Sequence, residues 1–107
     1  MIQAIFNFNN RIENLLINHI IVIAVFFTIY FCHYKYDKQK HFIVTNNETT
    51  LDNWVDILYF TTTTHTTVGF GDIIPKSKQM KLFVILHHII IVLLVVQLFY
   101  YFHLVKN

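Results

Sequence analysis

Two long stretches without a formal charge constrain this chain more than anything else in it. Leu15–Phe31 holds no Asp, Glu, Lys or Arg, and only Asn18, His19 and Thr28 interrupt its apolar run. Leu82–Phe102 is likewise uncharged unless a histidine takes a proton. As helices at 1.5 Å per residue the two reach about 25 Å and about 31 Å, against a hydrocarbon core of about 30 Å. Extending the first back to Ile12 or forward to Tyr34 makes up its shortfall. Tyr30, Tyr34 and Tyr36, and then Tyr100 and Tyr101, fall where an interfacial aromatic belt is expected. Composition agrees: 55% of the residues are hydrophobic and 13% charged, whereas soluble domains carry about 25% charged residues. The first span is expected to be retained, since bulky Cys32-His33-Tyr34-Lys35 follows it where a cleavage site needs small residues.

The remaining segments are read against those spans. Residues 1–14 mix Ile2, Ile5, Phe6, Phe8 and Ile12 with Asn7, Asn9, Arg11 and Glu13. They read either as a short interfacial amphipathic helix or as an extension of the first span. The spans themselves are set at 15–34 and 82–102, with an exposed polar loop over 35–51. Asp52 is expected to cap a short helix over 52–66, roughly 20 Å long and too short to cross a bilayer. A short helix between two spans, followed by glycines, reads as a re-entrant segment. Non-helical backbone is tolerated at that depth only where it lines a cavity or is buried in protein.

The chain has two glycines, Gly69 and Gly71, two residues apart in one loop. Glycine serves where backbone must take positive φ. A strand whose successive carbonyls all face one side needs residues alternating between ordinary and left-handed conformations, and a Cβ opposes the left-handed ones. Thr67 adds a hydroxyl beside its carbonyl, and rows of such oxygens can replace the hydration shell of a hard cation.

Thr64-His65-Thr66-Thr67-Val68-Gly69-Phe70-Gly71-Asp72 resembles the potassium-channel signature in its Gly-Phe-Gly form. The layout is similar to the miniature virus-encoded (algal-virus type) two-span potassium channels. The motif likeness covers Trp54–Lys76, and the architectural one nearly the whole chain. The resemblance implies an all-α membrane protein. Two transmembrane helices flank a re-entrant pore helix and a selectivity-filter loop, assembled as a tetramer with three further copies of itself. It implies K+ as the permeant ion, held by the carbonyls of Thr67, Val68, Gly69 and Phe70 and the Thr67 hydroxyl, with the filter running through Gly71. Asp72 is then the outer mouth, and Trp54, Tyr59, Thr63 and Thr66 support the filter. Val92, Val95, Phe99 and His103 are expected to line the cavity or inner mouth, on one helical face with His88. Lipid contact remains the other reading of that face, since the span is apolar nearly all round.

Some features depart from the family. Thr63 stands where many bacterial relatives carry a glutamate, and the second span has no hinge glycine. Only five residues follow Phe102, leaving no room there for a ligand domain, so little dedicated voltage or ligand gating is expected. Six lysines (35, 38, 40, 76, 78 and 81) lie between the spans, where the positive-inside rule would put cytoplasm. The filter argues instead that this side faces out, and five acidic residues share the loop.

Other signals are weaker. His87 and His88 point about 100° apart and cannot jointly chelate one ion. At His87-His88 a neutral histidine packed at a helix interface is expected, His65 is expected to pack and hydrogen-bond, and His103 to face the inner mouth and confer some pH sensitivity. The Asn47-Glu48-Thr49 sequon lies close to the membrane and is expected to go unused. No catalytic constellation is present, so no enzyme, organic cofactor or small-molecule substrate is expected. A net charge of +2 offers nothing to nucleic acid. The alternatives are a poorly selective cation channel of the same fold and a small non-channel viral membrane protein.

Overall fold

In the computed structural model, which describes residues 1–107, the first apolar run sits inside one long helix, α1 (Ile2–His41). A short strand β1 (Phe42–Val44) follows, then the helix α2 (Trp54–His65), the strand β2 (Ile73–Pro75) and the helix α3 (Lys78–Lys106). α1 and α3 are each long and apolar enough to cross a membrane. The molecule measures 55 × 23 × 21 Å, long enough in one direction to exceed a ~30 Å hydrocarbon core.

Both ends of the first span differ from the simplest sequence picture. Residues 2–14 continue α1 rather than forming a separate helix. Phe8 meets Phe102 of α3 with ring centroids 5.8 Å apart, and the Arg11 guanidinium lies 5.5 Å from the Tyr101 ring. At the other end, Lys35–His41 are helical, not loop. Lys and Gln are good helix formers, and Lys38, Lys40 and His41 offset the negative end of the helix dipole. The helix is interrupted at Asp37 (φ −163°, ψ 92°), whose carboxylate accepts the Lys40 N–H at 3.1 Å and starts the last turn.

The supposed loop also contributes β1. It pairs antiparallel with β2 in the register Phe42–Pro75, Ile43–Ile74 and Val44–Ile73. Thr45 N–H donates to the Asp72 carbonyl at 2.9 Å, and Lys76 N–H to the His41 carbonyl at 2.7 Å, extending the ribbon at both ends. The entry to α2 is capped one residue later than expected. Asn53 Oδ1 accepts the Val55 N–H at 2.9 Å, and Asp56 completes the capping box by accepting the Asn53 N–H at 3.2 Å. Asp52 instead donates its own N–H to Asp56 at 2.8 Å, because the carboxylate at the third helical position reaches back over both residues.

One buried cluster joins all five elements: Phe26 and Tyr30 of α1, Phe42 of β1, Leu51 of the loop after it, Ile57 and Phe60 of α2, Ile73 of β2, and Met80 of α3. Only 16 of the 107 residues are buried, so most of the apolar surface of both long helices stays uncovered by the chain itself. A soluble fold would not leave such faces bare.

The seam between the spans is closed by His41, whose Nδ1 lies 2.7 Å from Ser77 Oγ. Ser77 is the N-cap of α3 and accepts the Met80 N–H. Burial, then the neighbouring His33 and Lys40, hold His41 below the usual histidine value, while Asp37 opposes them weakly. Folding therefore favours neutral His41. Its contribution is full above the unfolded value, about pH 6.5, and is lost as pH falls through the lowered folded value. Thermal midpoints should drop on acidification below about pH 6.5. The drop should be smaller in His41→Gln, and Ser77→Ala should cost about 0.5–2 kcal/mol at neutral pH.

Candidate functional site

α2 ends in threonines, poor helix formers that nonetheless satisfy themselves locally. Thr61 donates to the Ile57 carbonyl at 2.7 Å, Thr63 and Thr64 to the Phe60 carbonyl at 3.0 and 2.8 Å, and Thr66 to the Thr62 carbonyl at 2.8 Å. Such back-bonding lets a polar run sit in an apolar setting. The chain then leaves the helix, and its next amides take up the terminal carbonyls. Thr67 N–H donates to Thr64, and Gly69 N–H to Thr63, both at 3.1 Å.

From there the backbone alternates in hand. Thr67, Gly69 and Gly71 have φ of 60°, 55° and 80°, while Val68 and Phe70 stay negative. A Cβ on either glycine would meet nothing within 4 Å, so within one chain glycine is required by conformation and not by space. Thr67 is the unexpected member, because a β-branched residue at positive φ is an outlier that costs roughly 1–2 kcal/mol. Strain of this kind persists where surrounding bonds hold it, and it gathers at functional sites. Residues 66–71 are all exposed on the single chain.

Asp72 anchors the outer end of this loop. Its Oδ2 accepts from Tyr59 Oη at 2.9 Å and from Thr49 Oγ1 at 3.5 Å, and its Oδ1 accepts the Ile73 N–H at 3.1 Å. The Tyr59 ring stacks parallel on Phe70 at 6.1 Å. Thr45 Oγ1 donates to the Gly71 carbonyl at 2.7 Å. Thr45 and Thr49 were invisible to sequence reasoning: they stand 26 and 23 residues before the Gly71 and Asp72 that they bond, and only the β1–β2 pairing brings them near.

The other expected residues divide. Thr63 and Thr66 lie directly under the loop. Trp54 stands at the start of α2, more than half exposed, with no side-chain hydrogen bond. Val92, Val95, Phe99 and His103 are exposed along α3, away from the buried face of Met80, His87, Ile91 and Leu94. His87 and His88 do point apart. His87 is fully buried, whereas His88 is exposed and lines an open cleft of about 390 Å³ with Thr63, Thr64, Thr67, Gly69 and Val84.

Behind the loop, three histidines and a tyrosine join the helices. His19 Nδ1 lies 2.9 Å from His65 Nε2, His65 Nδ1 lies 3.1 Å from His87 Nε2, and His87 Nδ1 lies 3.0 Å from Tyr30 Oη. Phe26 stacks on the His87 ring at 4.1 Å. No spacing rule announces this row, which takes two members from α1 and one each from α2 and α3.

Tyr59→Phe should release Asp72 from its closest side-chain partner. Loss of that hydrogen bond should loosen the end of the loop at Asp72, with little effect on global stability because Tyr59 is exposed. Faster amide exchange at Ile73 and Thr45 would show it, with α1 exchange unchanged.

Comparison with known proteins gives a consistent set of likenesses. A family model described as "Ion channel" matches residues 16–105. The chain is similar to potassium channel protein kcv of Paramecium bursaria Chlorella virus 1, 40% identical over 80 residues, covering 75% of this chain and 82% of that protein. It is 32% identical over 72 residues to two-pore potassium channel 4 of Arabidopsis thaliana, covering 67% of this chain and 24% of that one. It is 51% identical over 35 residues to a hyperpolarization-activated voltage-gated potassium channel of Methanocaldococcus jannaschii, covering 33% and 17%. No solved structure matches the chain.

Proposed function

Because the chain belongs to the ion-channel family whose model spans residues 16–105, we propose that it forms a potassium-selective pore, with K+ as the transported ion. It is an integral membrane protein with two spans. The observation that carries the proposal is the alternating hand of the backbone at Thr67, Gly69 and Gly71, in an exposed loop between those spans.

In this reading the carbonyls of Thr67, Val68, Gly69 and Phe70, with the Thr67 hydroxyl, replace the water around a potassium ion. One chain supplies one wall. Four copies around an axis close the path, which accounts for a filter and an α3 face left bare in a single chain. Asp72 gathers cations at the outer mouth while Tyr59 and Thr45 keep the exit from slackening. The C-terminal end of α2 carries about half a negative charge toward the cavity and offsets part of the cost of a cation there. Val92, Val95, Phe99 and His103 line the path below the filter, and lipid covers the remaining apolar faces. With no glycine in α3 to act as a hinge, opening does not rest on a glycine bend there, and passive conduction follows the electrochemical gradient.

The test is the reversal potential of purified protein in a planar bilayer, with potassium on one side and sodium on the other. A value near the potassium equilibrium potential is expected. A value near zero with clear unitary currents would make it a poorly selective cation channel. Silence from an intact tetramer would favour a membrane protein that is not a channel. Gly71→Ala should abolish potassium current while the assembly survives on a gel, since the cost falls on a φ of 80° and not on packing.

A further inference from the structure

His19, His65, His87 and Tyr30 lie off the ion path, and nothing in the conduction mechanism above uses them. Their three contacts, 2.9, 3.1 and 3.0 Å, make one unbroken row across three helices. A neutral imidazole carries one ring proton, so each member can donate at one nitrogen and must accept at the other. Only two proton orders satisfy all three contacts. In the first, Tyr30 donates to His87 Nδ1, His87 Nε2–H to His65 Nδ1, and His65 Nε2–H to His19 Nδ1. The last proton, on His19 Nε2, then lies at the half-buried end of the row. In the second, every donation is reversed, and the Tyr30 hydroxyl hydrogen is left without an acceptor. Tyr30 is fully buried and its oxygen has no other partner, so the reversed order strands a donor in an apolar core. The first order is therefore selected, and with it the Nε2–H tautomer at all three histidines.

His65 is the last residue of α2 and stands two positions before Thr67, where the strained backbone of the loop begins. We propose that the row acts as one proton-ordered unit of positioning residues. It holds the end of α2, and with it the first residue of the filter, between the two spans, and a second proton on His19 breaks it. The conduction role rests on the potassium-pore reading; the proton order does not.

Acid reaches the whole row through its open end. A second proton on His19 sits on Nδ1 and faces the His65 Nε2–H, donor against donor. Relief requires reversing every link, which strands Tyr30. The titratable groups facing the row are His19 and Tyr30 on α1, His65 on α2, and His87 with its neighbour His88 on α3. No carboxylate or ammonium group hydrogen-bonds to any member to absorb the charge.

Two measurements test this on the intact tetramer in lipid. Nitrogen-15 spectra of the wild-type histidines should show His19, His65 and His87 as Nε2–H tautomers at neutral pH. In Tyr30→Phe, which frees the order, His87 should become a mixture. An Nδ1–H tautomer at His65 or His87 in the wild type overturns the proton order. Potassium current should fall severalfold on acidification. His19→Gln, which keeps an acceptor oxygen but takes no proton, should remove most of that fall. Tyr30→Phe should lower the neutral-pH current about fivefold, the worth of one neutral hydrogen bond. A conducting His19→Gln channel with the wild-type acid profile overturns the positioning role. A wild type with the assigned tautomers but no potassium current overturns the pore reading, and the conduction role with it.

Discussion

Backbone that leaves a helix between two membrane spans must satisfy its own N–H and C=O groups, because hydrocarbon offers no water to do it. The turn from α2 into the loop meets this demand with what lies at hand. The amides of Thr67 and Gly69 close onto the last carbonyls of α2, and threonine hydroxyls fold back onto the turn before them. Everything else about the loop depends on that closure. It aims the strand, allows positive φ at three alternate residues, and lets the loop stand exposed without unravelling.

The two ends of the loop are held by different physics. At the outer end the bonds are charged and partly wet: Asp72 receives Tyr59, Thr49 and the Ile73 amide, while the β1–β2 ribbon brings Thr45 to the Gly71 carbonyl. At the inner end no carboxylate takes part, and the contacts run from buried Tyr30 through His87 to His65 and outward to half-buried His19. A charged cluster tolerates solvent and small movements. A neutral buried row tolerates neither, because a donor without an acceptor there has nowhere else to turn.

The spread of buried residues fits a protein that is incomplete as a single chain. The core joins all five elements, yet it leaves the length of α1 and α3 bare outside the seam between them. Such a chain has its buried contacts in the seam and leaves the faces outside it uncovered. His87 and His88, adjacent in sequence, fall on opposite sides of that division.

The spans and the short helix between them were legible in the sequence, because uncharged length and helical rise are local properties. The need for positive φ at Gly69 and Gly71 was legible too, since glycine is the residue that adopts it freely. Positive φ at Thr67 was not, for nothing in a threonine announces strain that its surroundings impose. Lys35–Val44 read as loop because polar composition hides both a helix end and a three-residue strand, whose only signal is a partner strand some 30 residues away. Asp52 and Asn53 are both good caps, and the choice fell to the reach of the Asp56 carboxylate. The sequence by itself determined two spans, a re-entrant turn and a loop built for alternating backbone. Only the tertiary structure decided which threonines brace that loop and which histidines meet, because hydrogen bonds between distant residues depend on how three helices pack, and no local spacing encodes it.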